Sequence, residues 1–171
     1  MNSISIATKS DVASLVKLVN SAYRGDSSKK GWTTEADLLD GIRTDEQSLT
    51  ALLEQEGSTL LKCEDDQQTL IGCVNLQAQG NKLYLGMLTV SPELQGGGVG
   101  KQLLTAAEDF ARENKFESIV MSVISVREEL IAWYERKGYV KTGEKKPFPM
   151  NDPKFGLPKQ FLEFIIMEKP L

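Results

Sequence analysis

Four glycines fall within five residues, Gly96-Gly97-Gly98-Val99-Gly100, between an apolar run ending at Val90 and an amphipathic stretch marked by Leu103, Ala107, Phe110 and Ala111. The segment from Val90 through Ser91-Pro92-Glu93-Leu94-Gln95 to Lys101-Gln102-Leu103-Leu104 therefore reads as a strand feeding a glycine-rich turn that opens a helix. Glycine lets the backbone come close to a ligand with no Cβ in the way. The first N–H groups of a helix have no internal partners and lie at its positive dipole end, a setting that favours phosphate. Lys101 in the first turn adds charge. An ordinary turn into a helix needs one glycine, and each glycine inside a helix costs roughly 0.5–1 kcal/mol against alanine. Four argue for a ligand.

Spacing excludes two phosphate-binding loops. A Walker A loop counted back from Gly100-Lys101 needs glycine where Gln95 stands and Ser or Thr where Gln102 stands. A dinucleotide fingerprint needs its third glycine at Lys101 or Leu103. The chain also has no histidine, which removes Ser-His-Asp triads, Cys-His dyads, zincin motifs and Cys2His2 zinc sites. Cys63 and Cys73 lie in apparently consecutive strands without C-x-x-C spacing, so two reduced, partly buried thiols are expected, with neither a disulfide framework nor a thiolate metal site. No metal is expected. The formal charge of −4 gives no general pull toward nucleic acid or an anionic membrane. The start of the chain lacks a signal-peptide pattern and no apolar run reaches the roughly 20 residues of a membrane span, so a cytoplasmic location without membrane or nucleic-acid partners is expected.

The rest of the chain of 171 residues reads as one domain, 1–171, with no repeat or linker. Ile4 and Ile6 alternate with polar neighbours in a short strand, and Ser10-Asp11 start a helix whose Val12, Leu15, Val16 and Val19 share a face. Thr33 or Thr34 is expected to open a helical segment through Leu38, Leu39 and Ile42, and a further helix runs from near Asp45 to Gln55, stopped by Gly57. Strands are expected over 59–63, 70–77 and 83–90 as an antiparallel meander, then at 118–124, from Tyr139 and over 161–168. Helices near 98–114 and 127–137 alternate with the later strands, which makes the class α+β or mixed α/β.

The motif Gln95-x-x-Gly98-x-Gly100, preceded by Val90-Ser91-Pro92 and followed by Leu103-Leu104, resembles the [QR]-x-x-G-x-[GA] signature of the GNAT N-acetyltransferase superfamily. Downstream, Trp133-Tyr134-Glu135-Arg136-Lys137-Gly138-Tyr139 is similar to that family's helix end, and the last strand closes on Met167-Glu168-Lys169. The resemblance spans roughly Ile4 to Lys169. It implies a mixed, mostly antiparallel sheet of about seven strands flanked by helices, with a V-shaped central cleft. It further implies acetyl-CoA as co-substrate and a primary amine that attacks the thioester directly in a ternary complex, without a protein nucleophile. Leu88, Thr89 and Val90 would carry the pantetheine arm, with a backbone N–H near Leu88 stabilising the oxyanion. Gln95, Gly96, Gly97, Gly98, Val99, Gly100 and Lys101 would hold the pyrophosphate. Tyr134 would protonate the departing thiolate, against a reading as a core aromatic beside Leu130 and Trp133.

The sequence departs from the family pattern at Arg127 and Leu130, where relatives often carry Asn and Ala. Arg127 either reaches the CoA phosphates or caps and solvates its helix start. Gly86-Met87-Leu88-Thr89 holds no acid to serve as general base, which leaves water and backbone carbonyls, or a distant carboxylate such as Glu35 or Glu163. Tyr23, Arg24 and Trp32, with Phe148, Met150 and Phe155 in a Pro-rich loop, would line the acceptor pocket, and aromatics beside one arginine suit a small substrate bearing a carboxylate. Lys141, Lys145 and Lys146 form a small solvated basic run. A small-molecule amine is the expected acceptor. A protein N-terminus or lysine, or a non-catalytic acyl-CoA sensor, are the alternatives, and the chain is compatible with a homodimer.

Overall fold

The computed structural model describes residues 1–23, 35–36, 39–40, 43–149 and 157–171, with the side chains of Leu39, Asp40 and Leu157 excepted. Nine strands are found among them: β1 (Ser3–Ile6), β2 (Leu39–Asp40), β3 (Ser58–Glu64), β4 (Leu70–Gln79), β5 (Lys82–Val90), β6 (Ser118–Ile124), β7 (Val140–Pro147), β8 (Leu157–Pro158) and β9 (Glu163–Pro170). Four α-helices accompany them: α1 (Val12–Tyr23), α2 (Glu46–Glu54), α3 (Val99–Glu113) and α4 (Glu128–Arg136). Seven strands form one sheet in the order β1-β3-β4-β5-β6-β9-β7, and β2 pairs with β8 in a separate ribbon. Strands drawn from both ends of the chain thus lie in a single sheet. The sequence-predicted helix through Leu39 is corrected at that point, because Leu39–Asp40 is a strand paired with Leu157–Pro158; Leu38 and Ile42 lie outside the described residues. Propensity alone could not foresee a pairing with a partner more than a hundred positions away.

Every pairing in the main sheet is antiparallel except β5 with β6. Those two are parallel because α3 intervenes, and a parallel pair needs such a crossover. Their ladder covers only Lys82↔Ser118, Leu83↔Ile119 and Tyr84↔Val120. Beyond Tyr84 the two strands part, and the residues 85–88 and 121–124 line opposite walls of a cavity. This is the V-shaped cleft.

The strands bury both faces. Alternation sends Leu60 toward α1 and α2 and Leu61 toward α3 and α4, so the sheet separates two apolar clusters. On α1 the buried face is Val12, Leu15, Leu18, Val19, Ala22 and Tyr23, with the expected Val16 partly buried against the same cluster. Full burial of side chains such as Leu15 and Val19 contributes roughly 1.5–3 kcal/mol each. Helix α2 starts at Asp45, whose side chain accepts the Ser48 N–H at 2.7 Å, and ends before Gly57 at φ 80°.

In β5 the alternation changes phase. Asn75 faces Gly86 and Cys73 faces Thr89, so Met87 and Leu88 together oppose Val74 in a β-bulge. Met87 takes φ 55°, and the Thr89 hydroxyl donates to the Met87 carbonyl at 2.9 Å. Before the bulge Leu83 and Leu85 face the α3 side; after it Leu88 and Val90 do, while Met87 joins the α1 side. The same one-residue logic separates the thiols. Cys63 pairs with Gly72, so Cys73 projects from the other face, and both cysteines are free and buried.

Candidate active site

The glycine-rich turn resolves into distinct duties. A 3-10 turn, Pro92–Leu94, leads from β5, and the Gln95 amide donates to the Val90 carbonyl at 3.1 Å, tying the turn to the strand end. Gly96 and Gly98 both take φ 91°, and a Cβ at either would meet nothing within 4 Å. Their lack of a side chain therefore serves the backbone conformation and keeps the space in front of it open. Gly98 caps α3, with its carbonyl accepting Gln102 N–H at 3.0 Å, so the N–H groups of Val99, Gly100 and Lys101 begin the helix without intrahelical partners. At Gly100 a Cβ would lie 3.6 Å from both Trp133 and Val90, where α3, α4 and β5 converge.

This cradle is one end of a cleft of about 560 Å³ between β5, the turn and α4. Of the residues expected to bind the donor, Leu88, Val90, Gln95, Gly96, Gly98, Gly100, Lys101 and Tyr134 line it. The Val99 side chain instead fills the core, Thr89 is buried with its hydroxyl committed to the bulge, and Gly97 packs against the Leu94 carbonyl. Helix α4 adds Glu129, Leu130, Ala132, Trp133, Arg136 and Lys137. Their three- and four-residue spacing along one helical stripe was the available signal for them. Two of them, Arg136 and Lys137, add positive charge to the cleft, and Lys137 lies 5.6 Å from the Trp133 ring centre.

A second cavity, of about 390 Å³, lies where β5 and β6 part. Tyr23, Leu88, Leu130 and Tyr134 line both cavities, so they mark the junction. Tyr134 is buried, with its ring edge-on to Trp133 at 5.1 Å and to Tyr139 at 5.8 Å. Its hydroxyl makes no hydrogen bond among the described residues, and no buried side-chain polar atom is left unpaired. The hydroxyl therefore opens onto the cavity junction. Burial holds it well above the ordinary phenol range, more than Arg127 pulls it down. At neutral pH it is therefore a phenol rather than a phenolate.

The hydroxyl of Tyr23 donates to the Leu88 carbonyl, and burial likewise raises it. This contact reaches from the end of α1 to the bulge and fixes Leu88, which sits in the bulge opposite Val74. Arg127 does not line the donor cleft. It lines the second cavity, where its guanidinium pairs with Glu35 at 3.3 Å; the side chains are 9% and 7% exposed. It also lies 5.8 Å from the Tyr23 ring centre. A charge so nearly buried needs a partner, and Glu35 supplies it. Of the two carboxylates weighed as general base, Glu35 is held in that pair, and Glu163 lines neither cavity but pairs with Lys145 at 3.6 Å. Arg24, Trp32, Met150 and Phe155 lie outside the described residues, whereas Phe148 lines the second cavity. Sequence reasoning missed Arg43, Tyr84, Met121 and Ser122 on its walls.

A family model described as the acetyltransferase (GNAT) family matches residues 14–139, most of the chain. The chain belongs to the GNAT family. Human N-acetyltransferase 8B is 25% identical over 122 residues, which cover 68% of this chain and 53% of that protein. The chain thus spans about half the length of the curated relatives it matches. Among solved structures, the ribosomal-protein-alanine N-acetyltransferase from Brucella melitensis superposes with a TM-score of 0.73 at 22% identity, covering 99% of each chain. The PaiA N-acetyltransferase from Thermoplasma acidophilum, solved in complex with coenzyme A, gives 0.71 at 18% identity, covering 100% of this chain and 99% of that one. At such identities the likeness is one of fold, and the seven-stranded sheet with its parted parallel strands is the GNAT architecture. No helix among the described residues is long and apolar enough to cross a membrane.

Proposed function

We propose that this GNAT chain transfers the acetyl group of acetyl-CoA to the primary amine of a small molecule, with both substrates bound at once. The observation that carries the reading is the junction of two cavities at Tyr134 and Leu88. The donor side fits a pyrophosphate-bearing molecule. Its glycine cradle has open space where two Cβ atoms would stand, three helix-starting N–H groups lack intrahelical partners, and Lys101, Arg136 and Lys137 supply positive charge. The second cavity, at about 390 Å³, is of small-molecule size.

Acetyl-CoA would supply the thioester that the amine attacks. The edge of β5 beyond Tyr84 is free of β6 and would hold the pantetheine amides by backbone hydrogen bonds. The Leu88 N–H, in the bulge, would donate to the acetyl oxygen as charge develops there. As the C–N bond forms and the C–S bond breaks, the amine releases one proton and the sulfur takes one. Tyr134 would furnish the latter from the junction.

Calorimetric titration with acetyl-CoA tests the reading, run beside Gly98→Trp, which removes the cradle twice over: the indole would stand in its open space, and a side chain at φ 91° strains the turn that shapes it. Micromolar binding to the wild type, abolished in the folded variant and followed by amine-dependent CoA release, is expected. Absence of binding to the wild type would overturn the donor assignment. Binding without turnover of any amine would make the chain an acyl-CoA sensor.

A further inference from the structure

We infer that the acceptor carries a carboxylate beside its amine, and that Arg43 is the residue that selects it. The inference rests on the acetyltransferase reading above and concerns the same second cavity. Four charged side chains line that cavity: Glu35, Arg43, Arg127 and Lys146. Glu35 and Arg127 cancel each other in their buried pair. Arg43 and Lys146 have no ion-pair partner among the described residues. Among the described residues the cavity therefore keeps two cations without an ion-pair partner. An acceptor with a second ammonium would meet repulsion there, whereas an anionic group would find the missing partner.

Arg43 is better placed for this than Lys146, which is exposed on β7. Its guanidinium lies 5.8 Å from the ring centre of Tyr23, on whose other interactions the junction depends: Tyr23 also contacts Arg127 and donates to the Leu88 carbonyl. One aromatic ring thus separates the Arg43 charge from the reacting centre. The backbone beneath Arg43 is fixed as well. Asn20 on α1 accepts N–H bonds from Arg43 at 2.7 Å and Thr44 at 3.0 Å, and donates to the Thr44 carbonyl at 2.9 Å. The root of the side chain is held and its head lies over the Tyr23 ring with no ion-pair partner among the described residues, an arrangement that spares a binding residue ordering cost. A guanidinium fork matches a carboxylate by two parallel hydrogen bonds.

The test uses the full chain and a panel of α- and ω-amino acids, their carboxamides, and 1,4-diaminobutane, read as CoA release. The wild type is expected to prefer the acids to their amides, and Arg43→Met to erase that preference by raising KM for the acids about 30-fold while leaving the amides unchanged. Such a factor is what a charge-assisted pair near 2 kcal/mol gives. Asn20→Ala should weaken the preference through the same residue. If acetyl-CoA binds and amines turn over but diamines or amides match the acids, the carboxylate inference falls and the acetyltransferase reading stands. It falls equally if folded Arg43→Met, checked by circular dichroism, keeps the preference. If acetyl-CoA does not bind the wild type, both fall together.

Discussion

Replacing Tyr134 by Phe separates catalysis from folding more cleanly than any other single change in this site. Its hydroxyl has no hydrogen-bond partner among the described residues, so deleting the oxygen leaves no protein group unsatisfied. The ring would keep its edge-on contacts with Trp133 and Tyr139. Folding stability should change by less than about 0.5 kcal/mol, the range of a substitution that breaks no bond. Turnover should behave otherwise. A donor aimed at charge that develops only during reaction is worth about 100- to 1,000-fold, or roughly 3–4 kcal/mol. We expect kcat to fall about 100-fold while acetyl-CoA affinity stays within threefold, as for an interaction absent from the ground state. Release of CoA can be followed with a thiol reagent on the native enzyme. Both cysteines are buried, and burial pushes the Cys73 thiol up to about 12, so neither should react on the assay timescale. A kcat within threefold of wild type, or a loss of kcat matched by a fall in Tm, would refute the assignment of Tyr134 as the proton donor.

Two further outcomes probe the frame around the site. A Cβ on Gly72 would stand 2.9 Å from both the Leu103 side chain and the Thr89 carbonyl, and a carbonyl in a sheet cannot easily give way. Gly72→Ala should therefore cost about 2 kcal/mol in urea unfolding, and a neutral result would mean that α3 can slide on β4. The carboxyl of Glu168 is held below its ordinary value, first by the Ser118 hydroxyl at 2.7 Å and then by Lys82 at 3.1 Å against an opposing effect of burial. Because the folded value is the lower one, this stabilisation is present above about pH 4.5 and is lost as pH falls through the folded value. Ser118→Ala should cost about 1 kcal/mol at pH 7 and much less at pH 3; an equal cost at both would show that packing, not charge, is what the hydroxyl supplies.

The run from β5 through the glycines to α3 was legible because its signals are local: apolar alternation, glycine density and a 3.6-residue stripe all act within a few positions. For Tyr134 the chain left a core aromatic and a cleft residue open, and only the packing of α4 against β5 places it at a cavity junction rather than in sealed core. The burial of the Thr89 side chain was not legible, because the bulge inserts a residue and inverts which side chains face the cleft. Of the two roles weighed for Arg127, it stands at the start of α4 as its N-cap, but it is buried there rather than solvated, because its partner Glu35 is 92 positions away and nothing near Arg127 in the chain marks that pairing. The charge balance of the second cavity was equally hidden. Arg43 lines it from a backbone that an Asn side chain on α1 holds, a contact 23 positions away in the chain.

The short seam between β5 and β6 has a thermodynamic consequence. Three paired positions join a four-strand half, β1-β3-β4-β5, to a three-strand half, β6-β9-β7, so the ladder that makes each half cohesive is nearly interrupted between them. A donor laid along the free edge of β5 would act as a missing strand and bring the halves closer to one cooperative unit. Linkage then makes the fold answer to its own substrate: at a hundredfold excess over Kd, binding adds about 2.7 kcal/mol to the unfolding free energy. In such a chain the supply of acetyl-CoA would govern lifetime against proteolysis as well as rate.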